Sequence, residues 1–364
     1  MAPIDPSYGP VAVTGASGYI GSHVVSALVG RGYSVRACVT DTSDPLRTEH
    51  LLRMNIGGGP GSVEVQAADL LRRGSCDDIV ADCCAVLHVG TPGSHGGSEE
   101  KVYEGILTAT RNILASARKA AGIRRFVYTS SFAAVSHPVA PGYTLTEADW
   151  ASEPDWWSGF INEAVPNWSD VRIQSASRIA YPMAKAASER LVNRTAEEDG
   201  RFDAVTVCPC TVLGPLLSQV HYSPDAWQGH LATLLAGKTY RGPYHGVWRI
   251  VDARDVGLAQ ALILESDACS PGDRYLLTAH DSSGELDVRQ IQAHLERLFP
   301  EHEIGGAPPD YLAANKEVHA SCDKALSDLP LLPRPVNDTL FDTAVTLFNL
   351  GFATPKPKGP RVTT

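Results

Sequence analysis

Apolar and polar positions along the chain switch between two periods. Val11-Ala12-Val13 is a short continuous apolar run ending in a glycine-rich turn, and it reads as a buried strand. Ile20, Val24 and Leu28 follow at helical spacing and predict an amphipathic helix. Residues 33–39 return to a strand pattern, which completes a strand–turn–helix–strand unit. The rhythm continues with strands over 63–67 and 85–89, a helix over 102–121, a strand over 125–130, a helix over 181–198 and a strand over 204–208. Alternation of this kind predicts an α/β fold built on a doubly wound parallel sheet.

Two regions break the rhythm. Residues 136–178 carry Trp150, Trp156, Trp157, Phe160 and Trp168 among Pro, Ser, Asp and Asn, and read as an insertion over 140–178. It either lines a binding site or packs on its own aromatics at the surface. Beyond Pro215 come loops and helices, a strand over 248–251, a strand over 274–278 and a helix over 288–299. The expected organisation is an arm (1–10), a main domain (11–214) and a smaller α/β region (215–354). Within the last, 248–265 and 274–280 return to the main core. Residues 355–364, rich in Pro and Lys, read as a disordered tail.

Composition narrows the possible partners. A net charge of -10 over 364 residues favours neither nucleic acid nor an anionic membrane surface, though it leaves room for a local basic pocket. No apolar run has the length of a membrane span, and residues 1–10 lack the basic and apolar parts of a signal peptide. A cytoplasmic protein is expected. The eight cysteines include no C-x-x-C pair and no Cys/His set at zinc spacing, which points to reduced thiols and no metal site.

The turn after the first strand reads Thr14-Gly15-Ala16-Ser17-Gly18-Tyr19-Ile20-Gly21. Gly15 permits a tight turn, Gly18 lets a pyrophosphate approach the backbone, and Gly21 lets helix pack closely on strand. The helix N-terminus offers unpaired N–H groups to the phosphates. With a strand before it and a helix after it, the turn predicts dinucleotide binding.

Tyr181 and Lys185 are four residues apart on a predicted helix and share one face. A free phenol titrates near 10, too high for ready proton exchange at neutral pH. A lysine ammonium beside it is expected to lower that value, so that Tyr181 gives a proton in reduction and takes one in oxidation. Pro182 is tolerable in the first turn of that helix. His88 reads as a packed core residue, His221, His230 and His245 as surface or pocket-lining residues without metal spacing, and Cys208 and Cys210 as small packing residues flanking Pro209.

The G-x-x-G-x-x-G spacing, together with the Tyr/Lys pair, resembles the extended short-chain dehydrogenase/reductase superfamily. Asp69-Leu70, Val89-Gly90-Thr91-Pro92, Tyr128-Thr129-Ser130-Ser131 and Pro209–Pro215 are similar to its segments after the third to sixth strands. Val251-Asp252-Ala253-Arg254-Asp255-Val256 resembles the branch of dihydroflavonol reductases and fungal aldehyde reductases. The resemblance covers residues 10–350 and implies a Rossmann-type domain. It implies that Ser131, Tyr181 and Lys185 are catalytic, with Ser131 donating to the carbonyl oxygen. For the cofactor it implies Thr14, Gly15, Ser17, Gly18, Tyr19, Ile20, Gly21, Asp69, Leu70, Val89, Gly90, Thr91, Lys185 and Pro209. Ser131 and Tyr181 lie farther apart than in dihydroflavonol reductases, the extra length being the Trp-rich insertion.

Related reductases read V-R-A-T-V-R-D at the second strand, whereas this chain reads Val35-Arg36-Ala37-Cys38-Val39-Thr40-Asp41. Thr40 replaces the arginine that binds a 2′-phosphate, and Arg47 is the basic residue able to reach back. The resemblance implies NADPH rather than NADH, while Asp41 favours NAD by repelling the phosphate. The expected substrate is an aldehyde or ketone on an apolar small molecule, with Trp156, Trp157, Trp168 and Tyr222 as candidate walls, and the chain a monomer or homodimer. Cinnamoyl-CoA reductases carry N-W-Y-C-Y-G-K near the tyrosine, which this sequence lacks. Tyr-Pro-x-x-Lys is similar to 3β-hydroxysteroid dehydrogenases, so alcohol oxidation with NAD stays open. A sugar-nucleotide epimerase and a non-catalytic nucleotide-sensing regulator are weaker alternatives, the latter because such regulators usually lose the Tyr/Lys pair.

Overall fold

The computed structural model describes residues 2–56, 59–92, 99–137, 139–151, 177–240, 247–279, 284–309, 311 and 318–358. The first half runs β1 (Val11–Thr14), α1 (Tyr19–Gly30), β2 (Ser34–Val39), α2 (Pro45–Leu52), β3 (Ser62–Ala67), α3 (Asp77–Val80), β4 (Ala85–His88), α4 (Glu99–Lys119), β5 (Arg125–Thr129) and β6 (Thr144–Leu145). Then come α5 (Ser177–Asp199), β7 (Asp203–Pro209), β8 (Thr211–Leu213), α6 (Trp227–Leu235), β9 (Trp248–Asp252), α7 (Ala253–Glu265) and β10 (Arg274–Leu277). The chain closes with β11 (Glu285–Leu286), α8 (Val288–Leu298), β12 (His302–Glu303), β13 (His319–Ala320), α9 (Asp323–Asp328), α10 (Val336–Asn349) and β14 (Lys356–Pro357).

Seven strands form one parallel sheet in the order β10-β7-β5-β4-β1-β2-β3. Its strands are apolar on both faces, as burial between two helical layers requires. Val11 and Val13 of β1 and Ala85 and Leu87 of β4 pack with α1 and α7. The intervening Ala12 and Val86 pack with Ile113, Leu114 and Ala117 of α4 and Val192 and Ala196 of α5. Strand order reverses between β1 and β4, so the ends of those strands open a crevice at the carboxyl edge.

The C-terminal region has its own core. The sequence returned 248–265 to the main core, but β9 pairs with β8 and β11 in a separate three-stranded sheet. Trp248 is buried there among Leu231, Ile291, Leu340 and Leu347 of the surrounding helices. Helix α7, which follows directly, turns back onto α1. The segment Val251–Val256 marks this change of direction. Asp252 caps α7 by accepting from the Arg254 N–H and pairs with the Arg254 guanidinium, while Asp255 pairs with Arg334. Two further expectations need correction. Residues 356–357 are not a free tail: they pair antiparallel with His302–Glu303, because both stretches offer unpaired backbone groups. Pro182 is the sixth residue of α5, which starts at Ser177. It lies inside the helix and removes one backbone hydrogen bond there.

The N-terminal arm is stitched to the sheet. Ile4 is buried and its N–H donates to the Leu264 carbonyl at 2.7 Å. Arg125, fully buried, donates to the carbonyls of Ile263 (2.5 Å), Leu264 (3.1 Å) and Ala2 (3.0 Å). It thereby satisfies the last carbonyls of α7 and complements that end of the helix dipole. Arg125→Met removes the donor to the buried Ile263 carbonyl and the link to Ala2, and should lower unfolding free energy by about 1–3 kcal/mol. Urea denaturation checks this, and an unchanged midpoint would refute the stitching role.

Candidate active site

Glycine geometry shapes the carboxyl edge between β1 and β4. Gly15 has φ +65°, and a Cβ there would meet the Gly90 Cα at 2.5 Å. A Cβ on Gly21 would meet the Gly15 carbonyl oxygen at 2.1 Å. Gly18 differs: it is exposed, its φ is -79°, and an added Cβ meets only the Gly15 oxygen at 3.1 Å. Gly15 and Gly21 are therefore required by packing, whereas Gly18 keeps an open cradle in front of α1. Gly18 caps that helix without a side-chain hydrogen bond, so the helix end faces the cradle with its backbone groups. This cradle fits a dinucleotide pyrophosphate.

The neighbouring side chains are largely committed to holding the turn. Thr14 accepts from the Gly90 N–H at 3.3 Å and contacts His88 Nδ1 at 2.7 Å. His88 is buried against Tyr128, and burial with the nearby Lys185 charge brings its pKa down to about 3. It is a neutral structural link. Tyr19 donates to the Gly214 carbonyl at 2.9 Å and packs, like Ile20, on the main core. Ser17 is nearly buried behind the turn. Val89 packs on the main core and Pro209 is buried at the end of β7.

Thr40 is exposed at the end of β2, followed by Asp41, whose carboxylate accepts from the Ser43 N–H and hydroxyl. Arg47 lies near Asp44 at 3.2 Å rather than standing free. The Asp69 carboxylate accepts from the Leu71 N–H at 2.9 Å, and Leu70 lies so close to Gly90 that a Cβ there would meet it at 2.6 Å. The sequence reading missed a polar cluster below the turn. Ser22 contacts His50 Nε2 at 2.9 Å and His221 Nε2 at 3.2 Å. His221 Nδ1 accepts from the Leu217 N–H, so its proton sits on Nε2. Residues so distant in sequence carry no pattern that could have joined them.

Tyr181 and Lys185 lie on one face of α5, beside the end of β5. Tyr181 is half-buried, and Ser131 is near enough to bear on its titration. Burial pushes the phenol above 10, and the Ser131 contact offsets this in part. The expected lowering by Lys185 is not found, for a geometric reason. The ammonium lies 5.8 Å from the Tyr181 ring centre and donates instead to Thr91 Oγ1 (2.8 Å) and the Thr129 carbonyl (2.9 Å). Burial lowers Lys185 itself to about 7. The pair thus presents a protonated phenol.

Behind it stands a second unforeseen group. Glu189, fully buried, accepts from the Ser130 hydroxyl, from Arg274 Nε at 2.7 Å and from Cys208 Sγ at 3.7 Å. The i, i+4, i+8 stripe Tyr181-Lys185-Glu189 was legible in the sequence, but its partner Arg274 was not. Tyr222 stacks on Phe352 at 4.0 Å, at the edge of the C-terminal core. Trp156, Trp157, Trp168 and His245 lie outside the described residues. Among the described residues no three acidic, His or Cys side chains form a metal site, and no helix is long and apolar enough to cross a membrane.

A doubly wound sheet with a phosphate cradle at its switch point and a Ser/Tyr/Lys set at the same edge defines a dinucleotide-dependent redox site. Comparison with known proteins agrees. Residues 11–154 match the NAD dependent epimerase/dehydratase family. A cinnamoyl-CoA reductase of Medicago truncatula is 31% identical over 79% of this chain and 82% of its own length. A dihydroflavonol 4-reductase of Hordeum vulgare is 27% identical over 94% of this chain and 89% of its own. In fold, Gre2 of Candida albicans, solved with NADPH, superimposes with a TM-score of 0.74 at 21% identity, over 94% of this chain and 99% of its own. The chain belongs to the NAD-dependent epimerase/dehydratase family, within the extended short-chain dehydrogenases/reductases, and is an NAD(P)-dependent oxidoreductase.

Gly18→Val should leave the fold intact, since its φ suits any residue and the Gly15 carbonyl, 3.1 Å from an added Cβ, need shift by only a few tenths of an ångström. The side chain would fill the cradle and weaken dinucleotide binding by about tenfold or more. Fluorescence titration of the folded variant measures this; undiminished affinity would remove the cradle from the cofactor site.

Proposed function

We propose that this protein reduces an aldehyde or ketone on an apolar small molecule with NADPH. The observation that carries the reading is the meeting of Ser131, Tyr181 and Lys185 beside the glycine cradle, with the phenol protonated. Bound in the cradle before α1, a reduced nicotinamide dinucleotide would supply the hydride for the carbonyl carbon. Ser131 and Tyr181 donate hydrogen bonds to the carbonyl oxygen and polarise it. Tyr181 then gives its proton as charge develops on that oxygen. Its raised pKa keeps the proton in place until then. Lys185, held by Thr91 and the Thr129 carbonyl, would hold a ribose hydroxyl of the bound cofactor and so orient the nicotinamide.

The preference for NADPH is supported by the Gre2 relatives, crystallised with that cofactor. The carbonyl substrate is supported by a cinnamoyl-CoA reductase and a dihydroflavonol 4-reductase among the relatives. The same reading divides the chain into a nucleotide-binding part (11–214) and a substrate-binding part (215–354) and places the protein in the cytosol.

The decisive experiment is a panel of aldehydes and ketones assayed with NADPH and NADH by loss of reduced-nicotinamide absorbance. Tyr181→Phe should cut kcat by about 100-fold or more at near-constant dinucleotide affinity, since it removes one proton donor and little volume. A variant keeping more than about a tenth of wild-type kcat, with chemistry rate-limiting, excludes Tyr181 as the acid.

Cofactor choice has its own test at Thr40. The position is exposed at the end of β2, so an arginine there fits without repacking. Its guanidinium matches a 2′-phosphate bidentately. Thr40→Arg should raise the ratio of kcat/KM for NADPH over NADH. A fall in that ratio would displace the phosphate from this end of the sheet.

A further inference from the structure

We propose that the buried Glu189–Arg274 ion pair is a positioning element of the active site, holding the end of β5 and the lead into the Trp-rich segment in register with the Tyr181–Lys185 face of α5. The inference rests on the catalytic reading given above. Glu189 lies one further turn along α5 from Lys185 and is fully buried. A carboxylate in that setting is costly unless paired and hydrogen-bonded. Its donors come from three adjacent strands: Ser130 just after β5, Cys208 on β7 and Arg274 on β10.

Ser130 is the critical donor. It stands between Thr129, whose carbonyl accepts from Lys185 at 2.9 Å, and Ser131, the third member of the catalytic set. Fixing Ser130 to α5 fixes both neighbours on the catalytic pair. Arg274 extends the same link outward. Its Nη1 donates to the carbonyls of Glu147 (2.6 Å) and Asp149 (2.7 Å), and its guanidinium lies 3.7 Å from the Trp150 ring centre. The planar fork of arginine reaches carboxylate, carbonyls and indole together, which a lysine point charge does not. One buried pair therefore joins the reacting side chains to the residues from which the Trp-rich segment departs.

The pair also acts on Lys185 through its charge. The groups facing Lys185 are Tyr181 and Glu189 on α5, Tyr128 on β5, His88 and Thr91 at the end of β4, and Cys208 on β7. His88 is neutral, and burial keeps Cys208 a thiol. The Glu189 carboxylate favours the ammonium and opposes the effect of burial.

Glu189→Gln tests this with two readouts. Carbon-13 NMR of lysine ε-carbons in the cofactor-free protein follows Lys185, assigned by its loss in Lys185→Met. Steady-state kinetics use NADPH and the best aldehyde of the panel. The Lys185 midpoint should fall by about one pH unit, and the alkaline limb of kcat should move down with it. kcat should drop about tenfold while the NADPH dissociation constant stays within about twofold. If Glu189→Gln does not fold, Glu189→Gln with Arg274→Met removes both charges and carries the same expectation, because Lys185 responds to the carboxylate. A folded variant with wild-type kcat overturns the proposal. So does a loss of kcat with an unmoved Lys185 midpoint, which marks a purely structural pair. Tyr181→Phe run in parallel separates the two claims. If it stays active, the catalytic reading fails; if it is inactive and the Glu189 variants behave as wild type, only the positioning role fails.

Discussion

The close approach of Gly15 to Gly90 sets the distances on which the site depends. Two backbones meet where a single Cβ would stand 2.5 Å from a Cα, and the turn after β1 is thereby pressed against the end of β4. Thr14, sharing contacts with Gly90 and His88, closes the same junction with hydrogen bonds. Thr91 follows one residue beyond Gly90 and receives the Lys185 ammonium. A chain of short contacts thus runs from the phosphate cradle to the lysine. Widening the first of them would separate cofactor from acid, whatever residues were present.

Charge in this site is managed by burial more than by pairing. Lys185 is driven to about 7 and Tyr181 above its ordinary value, both by desolvation. A protonated acid beside a weakly held ammonium suits a reaction that leaves negative charge on the phenol only as the proton departs. The ion pairs that bear on this arrangement are placed outside the reacting atoms. Glu189–Arg274 lies behind the catalytic face, and Asp252–Arg254 and Asp255–Arg334 turn the chain between its two cores.

The C-terminal region shows why a strand pattern does not name its sheet. Residues 248–252 have the apolar alternation of a core strand, and Trp248 is fully buried. Their neighbours are nevertheless β8 and β11, because the chain leaves the main sheet after Pro209 and Thr211–Leu213 already pair with β9. The helix that follows rejoins the main core, so one segment serves both. The same limit explains residues 356–357, whose Pro- and Lys-rich composition hides a short pairing with a distant stretch.

Local patterning determined most of the architecture. Apolar periodicity located the strands and helices of the large sheet, since a parallel strand must be apolar on both faces and its helices on one. Glycine spacing marked the cradle, because only glycine fits where Gly15 and Gly21 sit. Helical spacing put Tyr181 and Lys185 on one face, and would have extended to Glu189. Only the tertiary structure decided where the lysine ammonium points, that burial raises the phenol, and which residue neutralises Glu189. It also decided that His50 and His221 meet at Ser22. Those outcomes depend on distances between elements far apart in sequence and on how much water each group loses, and neither quantity is written in the spacing of residues along one chain.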